Sequence, residues 1–189
     1  MKLGVNLPTV DIGGDPAVVK EFAETAEGLG YDHLSLADHV LGVDAEKRPN
    51  WGNRNTSADY FHDPFLLFAF LSACTSRIEF STQVLILPQR QTALVAKQST
   101  SLDILSNGRF RFGIGIGWNE DEYTALNENF ANRGKRSVEQ IQVLKGLWSQ
   151  EHVDIRKKWH QMVDVGINPL PLKRNIPLWL GGHEDITLQ

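Results

Sequence analysis

Leu-Asp-Ile-Leu-Ser-Asn-Gly-Arg-Phe-Arg-Phe-Gly-Ile-Gly-Ile-Gly-Trp, residues 102–118, joins a helix end to a buried strand and then to a strand end stripped of side chains. Asn107-Gly108 is a helix stop signal, because glycine or asparagine just past the last turn takes the left-handed conformation that closes a helix. Arg109 to Phe112 then alternate polar and apolar, as a strand requires. Gly113, Gly115 and Gly117 remove the side chain from every second position, which leaves room for a planar ring against the backbone.

On either side of this stretch, strands and helices alternate. Residues 2–7 read as a first strand stopped by Pro8. Asp15-Pro16 supplies an N-cap and a first helical residue. Val19, Phe22, Ala23, Ala26 and Leu29 recur at helical spacing until Gly30. Residues 34–37 form a short second strand that emerges at Asp38-His39. Residues 40–62 are too rich in Asn, Asp and Gly for a core element, and their position suits a lid or binding loop. Asp63-Pro64 repeats the cap-plus-proline signal before an apolar helix over 65–74, in which Cys74 reads as a small buried hydrophobe. A third strand over 78–87 becomes wholly apolar from Val84, as expected of one buried on both faces. A helix over 92–105, the glycine strand, a helix marked by Val138, Ile141, Leu144, Leu147 and Trp148, a polar excursion over 152–172 and a fifth strand over 176–180 complete the order. Gly181-Gly182 ahead of a helix start suits either a phosphate seat of backbone N–H groups or a plain turn.

This alternation predicts an α/β fold with right-handed crossovers and a parallel sheet, either doubly wound or a (β/α)₈ barrel. Dinucleotide binding of the Rossmann kind needs Gly-x-Gly-x-x-Gly before a helix, whereas Trp118 occupies the third glycine position. The barrel is therefore the preferred reading, with the site at the C-terminal ends of the strands. A full barrel takes about 250 residues. The 189 residues hold about five βα units in a single domain and lack the last three strands, so the chain reads as a truncation, a fragment, or a sheet closed by a partner.

Composition narrows the function classes. A net charge of -4 and no basic run longer than a pair argue against a nucleic-acid footprint. No apolar stretch approaches the length of a signal core or a membrane span, which suggests a cytoplasmic protein. One cysteine leaves no disulfide, and the six histidines follow no metal-binding spacing.

Asp38-His39, Leu87-Pro88 with Arg90, Ala96-Lys97-Gln98, Leu102-Asp103, Asn107-Gly108-Arg109-Phe110 and Gly117-Trp118, in this order, resemble the luciferase-like monooxygenase superfamily, and within it the deazaflavin (coenzyme F420) dependent oxidoreductases. The resemblance implies a barrel, usually a homodimer, that binds F420 or reduced FMN at the strand C-termini. It implies hydride transfer to a small-molecule substrate or, in the FMN branch, monooxygenation. The Trp118-Asn119-Glu120 ending favours F420 as first choice.

The same resemblance makes His39 a proton handler; the alternative is a loop histidine bonded to a carbonyl. It makes Asp38, Gln83, Val84, Gly115, Ile116, Gly117, Trp118, Gly181 and Gly182 the cofactor seat, although Asp38 could equally serve as a turn or capping group. Gln83-Val84 falls where the superfamily often has a non-proline cis peptide. Trp118 stands where some F420 enzymes with sugar-phosphate substrates have a catalytic glutamate, which argues against their acid-base scheme. Glu120 and Glu122 read as solvated first-turn carboxylates favoured by the helix dipole. Arg90 divides evenly between an anion contact and a surface residue. A second function class, a catalytically silent flavin-binding or assembly protein, follows from the missing strands.

Overall fold

A computed structural model describes residues 1–52 and 54–182. Its elements run β1 (Gly4–Asn6), α1 (Thr9–Ile12), α2 (Pro16–Gly28), β2 (His33–Leu36), α3 (Pro64–Ser72), β3 (Glu79–Thr82), β4 (Leu85–Ile86), α4 (Thr92–Leu105), β5 (Phe110–Gly115), α5 (Glu120–Ala125), α6 (Arg133–Ser149), β6 (Val153–Arg156), β7 (Gln161–Val165) and β8 (Leu178–Leu180). The helix starts form for the expected reasons. Asp15 accepts from Ala17 N–H with Pro16 behind it, and Asp63 accepts from Phe65 and Leu66 N–H with Pro64 behind it. Helix α4 closes through Asn107 (φ 56°) and Gly108 (φ 76°), whose N–H donates to Asp103 O at 2.7 Å.

The fold is α/β with a parallel sheet. β1 pairs with β2, β2 with β3, and β5 lies between β3 with its continuation β4 on one side and β8 on the other. Among the described residues β1 and β8 are paired on one edge only, so the barrel is not closed.

Two of the strand expectations need correction. The third strand is not continuous: it breaks at Gln83-Val84, where the peptide bond is cis, and its register against β5 slips by one residue across the break. The polar excursion over 152–172 contains strands: Val153–Arg156 and Gln161–Val165 form an antiparallel hairpin. The alternation of Val153 and Ile155 with Asp154 and Arg156 is the strand signal there.

The core lies between the outer face of the sheet and the helices. Phe68, Phe80, Phe110, Phe112 and Trp148 are fully buried, and rings 5.2–6.2 Å apart link Phe68 to Phe80, Phe110 to Phe112 and Phe112 to Trp148. Cys74 is half-buried just past α3 rather than inside this core.

The inner face is polar. Pairing aligns Gly4, His33 and Glu79, then Ser35 with Ser81 and Ser81 with Arg111. Glu79 is gripped there by Arg111 and by Lys2 at 2.9 Å. The Arg111 hydrogen bonds, then the Lys2 contact, outweigh partial burial and hold the Glu79 carboxyl at about 2, against an ordinary 4.5. A carboxyl depressed in the folded state stabilises the fold above its unfolded value and loses that contribution as protons bind. Stability should therefore fall as pH drops from 4.5 towards 2, and Glu79→Gln should flatten that acid limb; urea midpoints measured across the window check it.

Candidate active site

The strand ends of β2, β4, β5 and β8 open on one cleft of about 440 Å³. Asp38, His39, Gln83, Val84, Gly115, Ile116, Gly117, Trp118, Gly181 and Gly182 all line it, so the fold gathers every residue singled out for the site. The helix expected after Gly181-Gly182 falls at 183–189, outside the described residues.

The floor is built on missing side chains. A Cβ on Gly115 would stand 2.5 Å from Val84 Cγ2, one on Gly181 2.7 Å from Val84 Cγ1, and one on Gly117 2.7 Å from Ile86 Cγ2. Val84 is thus wedged between two bare strand ends, and Gly117, at φ +67°, has the backbone conformation that only glycine adopts freely. Tyr123 hydroxyl donates to Ile116 O, and Arg133 Nε donates to Gly117 O at 3.3 Å, holding the carbonyls of this strand end. Gly115→Ala should push Val84 into the cleft and weaken binding of a planar ligand about tenfold or more, at a stability cost of about 1–3 kcal/mol for the overpacking. Isothermal titration beside thermal melting would separate the two effects.

The walls are fixed by charge. Asp38, 3% exposed, accepts from Arg90 Nη2 at 2.7 Å and from Ile86 N–H at 3.0 Å, while Arg90 Nη1 reaches Asp63 at 3.0 Å. Burial works to lower the Arg90 guanidinium, but the two aspartates outweigh it and keep it firmly protonated. Arg90 is therefore not free at the surface; it clamps the end of β2 to the start of α3. Asp38 lines the cleft as half of that clamp. From α6, Gln140 Nε2 donates to Leu87 O, Arg90 O and Thr92 Oγ1, so the turn after β4 is also held from outside.

His39 stands at the mouth. Its ring meets Phe61 edge-on at 4.8 Å and Trp118 at 6.1 Å. Its Nδ1 lies 3.2 Å from Glu122 Oε1. Glu122, expected to be solvated, is 1% exposed and also accepts from Val40 N–H at 2.9 Å and from Gln89 Nε2 at 3.0 Å. Burial would raise its carboxyl, yet the hydrogen bonds from His39, Gln89 and Val40 hold it below the ordinary range. Glu122 and Gln89 are the site residues the sequence does not announce: three consecutive acids at 120–122 carry no mark of which one turns inward.

The loop folds over the cleft rim. Arg48 forms a two-pronged bond with Asp121 at 2.6 and 2.9 Å, and the Arg54 guanidinium lies 4.6 Å from the Trp51 ring and 5.4 Å from the Trp118 ring. His39 also borders a smaller cavity of about 260 Å³ under this loop, lined by Thr56, Asp59 and Phe61. Among the described residues no cluster of His, Cys, Asp and Glu could hold a metal, and no helix is long and apolar enough to cross a membrane.

This chain is 34% identical over 173 residues to an uncharacterized protein of Mycobacterium tuberculosis, which covers 88% of this chain and 59% of that one. It is 33% identical over 159 residues to the pyrimidine monooxygenase RutA of a Bradyrhizobium species, covering 80% of this chain and 41% of RutA. It thus spans about half the length of these relatives. Among solved structures, a riboflavin lyase, RcaE, superposes with a TM-score of 0.80 at 18% identity, covering 98% of this chain and 50% of the lyase. An F420-dependent secondary alcohol dehydrogenase superposes with a TM-score of 0.77 at 20% identity, covering 96% and 52%. At such identities these two share the fold alone. The family described as luciferase-like monooxygenase matches residues 1–189 from end to end, and the chain belongs to that family.

Proposed function

We propose that this chain carries the cofactor-binding part of an oxidoreductase that uses F420, or in second place FMN, on a small organic substrate in the cytoplasm. The observation that carries the reading is the cleft floor: Gly115 and Gly181 let Val84, and Gly117 lets Ile86, pack directly against bare backbone, beside half-exposed Ile116 and Trp118. A flat tricyclic ring would rest on such a floor, which carries few projecting side chains. Gln83, Val84 and the 115–118 strand end would hold the ring, and Trp118 would border it. When bound, the reduced cofactor would supply a hydride, or with FMN the means to activate oxygen. His39 would carry a proton at Nε2, and the loop over 40–62 would keep water from the cleft. Relatives bearing monooxygenase names and fold neighbours whose names include both F420 and FMN enzymes support the class and leave the substrate open. A homodimer accompanies this reading, since Leu66 and Phe70 on α3 and Leu94 and Leu105 on α4 are exposed apolar residues; light scattering would test it.

The experiment is a titration with F420, reduced FMN and oxidised FMN, following the fluorescence of the five tryptophans. Saturable quenching by one of them supports the reading and names the redox chemistry to assay. A folded chain that binds none would overturn it. The alternative, a silent flavin-binding or assembly protein, rests on the one-sided pairing of β1 and β8. It predicts binding without turnover, and any substrate-dependent oxidation or reduction of the cofactor excludes it.

A further inference from the structure

The buried carboxylate beside His39 has more to do than balance charge. Glu122 Oε1 takes three contacts: His39 Nδ1 at 3.2 Å, Val40 N–H at 2.9 Å and Leu41 N–H at 3.4 Å. Its Oε2 accepts from Gln89 Nε2 at 3.0 Å. An ionised carboxylate only accepts hydrogen bonds. The proton in the His39 contact must therefore sit on Nδ1, which in the neutral ring leaves Nε2 bare. Nε2 has no hydrogen bond among the described residues, and His39 lines the cleft. Phe61 and Trp118 pack against the ring and oppose its rotation.

We propose that Glu122 is the positioning residue of this site: it holds His39 as the Nδ1–H tautomer, so that Nε2 meets the cleft as a proton acceptor. Through the N–H groups of Val40 and Leu41 the same carboxylate anchors the first residues of the 40–62 loop. Asp121, the preceding residue, ties Arg48 of that loop to the same helix. Helix α5 thereby sets the histidine and the cover of the cleft together. A proton taken up at Nε2 gives an imidazolium whose charge Glu122 offsets across the Nδ1–H contact, and release of that proton to solvent restores the starting ring. The orienting group of a catalytic histidine acts in this manner, and exchanging it for the amide can select the wrong tautomer.

The consequence for turnover rests on the proposed function, but the tautomer belongs to the protein without any cofactor. The test is therefore spectroscopic. Protein labelled with ¹⁵N-histidine is examined at alkaline pH by long-range ¹H–¹⁵N correlation, the His39 signals being assigned by their loss in His39→Gln. The expected result is a protonated Nδ1 and a bare Nε2. In Glu122→Gln the side-chain amide can turn its N–H towards Nδ1, so the His39 population should move towards the Nε2–H form by tenfold or more. In protein that turns over, kcat should fall about 10²-fold or more while cofactor affinity stays within about threefold. An Nε2–H tautomer in the wild type would overturn the proposal, and so would a Glu122→Gln spectrum identical to it. Should Glu122→Gln fail to fold, the wild-type spectrum still decides. If His39 shows the expected tautomer and no cofactor binds, the proposed function fails and the role of Glu122 stands.

Discussion

Replacing His39 by alanine is expected to lower the turnover of cofactor-loaded protein about 10²–10⁴-fold, the range that a positioned proton-transfer group contributes. The fold should survive. The His39 side chain lies at the cleft mouth just past β2, outside the aromatic core, and 16% of it is exposed. Removing it takes one donor from Glu122, which keeps Val40 N–H, Leu41 N–H and Gln89 Nε2, so the buried carboxylate remains satisfied. The expected stability loss is therefore about 1 kcal/mol, the net worth of one hydrogen bond with some packing. Cofactor affinity should change little, because the floor of the cleft is made by Val84 and the glycines. Steady-state kinetics beside a urea denaturation curve separate these effects. Unchanged turnover would remove His39 from the chemistry, and a large shift in the urea midpoint would mean that the ring holds the fold instead.

Much of this site could be read before the fold was known, and the reason is local. Capping prolines, helical spacing and the Asn107-Gly108 stop act within a few residues, and each forms where its chemistry dictates. Glycines at 115, 117 and 181 carry their meaning in what they lack, so they mark the floor even without their neighbours. The errors are the opposite case. Arg90 and Glu122 take their roles from partners 52 and 83 positions away in sequence, Asp38 and His39, and no local pattern encodes such pairings. The break between β3 and β4 is equally non-local. Val84 to Leu87 read as a continuous buried run, and Leu85 to Leu87 are indeed buried, but Val84 is drawn out of the strand into the cleft floor. Burial was legible from the residues; the interruption that makes the floor was reached only through the family resemblance, which puts a cis peptide at Gln83-Val84, where the structure has one.

Gly113→Ala should be the most destabilising small substitution in the sheet, costing more than about 3 kcal/mol, beyond the usual range for overpacking by one methyl group. A Cβ at this position would overlap the carbonyl oxygen of Thr82 on β3. That neighbour is backbone, so no rotamer change can relieve the clash. The same two residues are bonded, Thr82 Oγ1 donating to Gly113 O at 2.6 Å, and β8 pairs with Gly113 on its other side through Trp179. Relief therefore requires β3 and β5 to separate at the point where the sheet passes from β3 to β4. The cost falls on central pairings rather than on an edge. Against a total stability of about 5–15 kcal/mol for an ordinary domain, a loss of this size leaves a large unfolded fraction under mild denaturant. Gly134→Ala is the matched control: it lies within α6, nothing stands within 4 Å of its added Cβ, and alanine there should be neutral or stabilising by about 0.5–1 kcal/mol. Urea denaturation of both variants beside the parent chain decides the matter. A Gly113→Ala loss under about 1 kcal/mol would show that the two strands do not approach as closely as the Thr82 to Gly113 hydrogen bond requires.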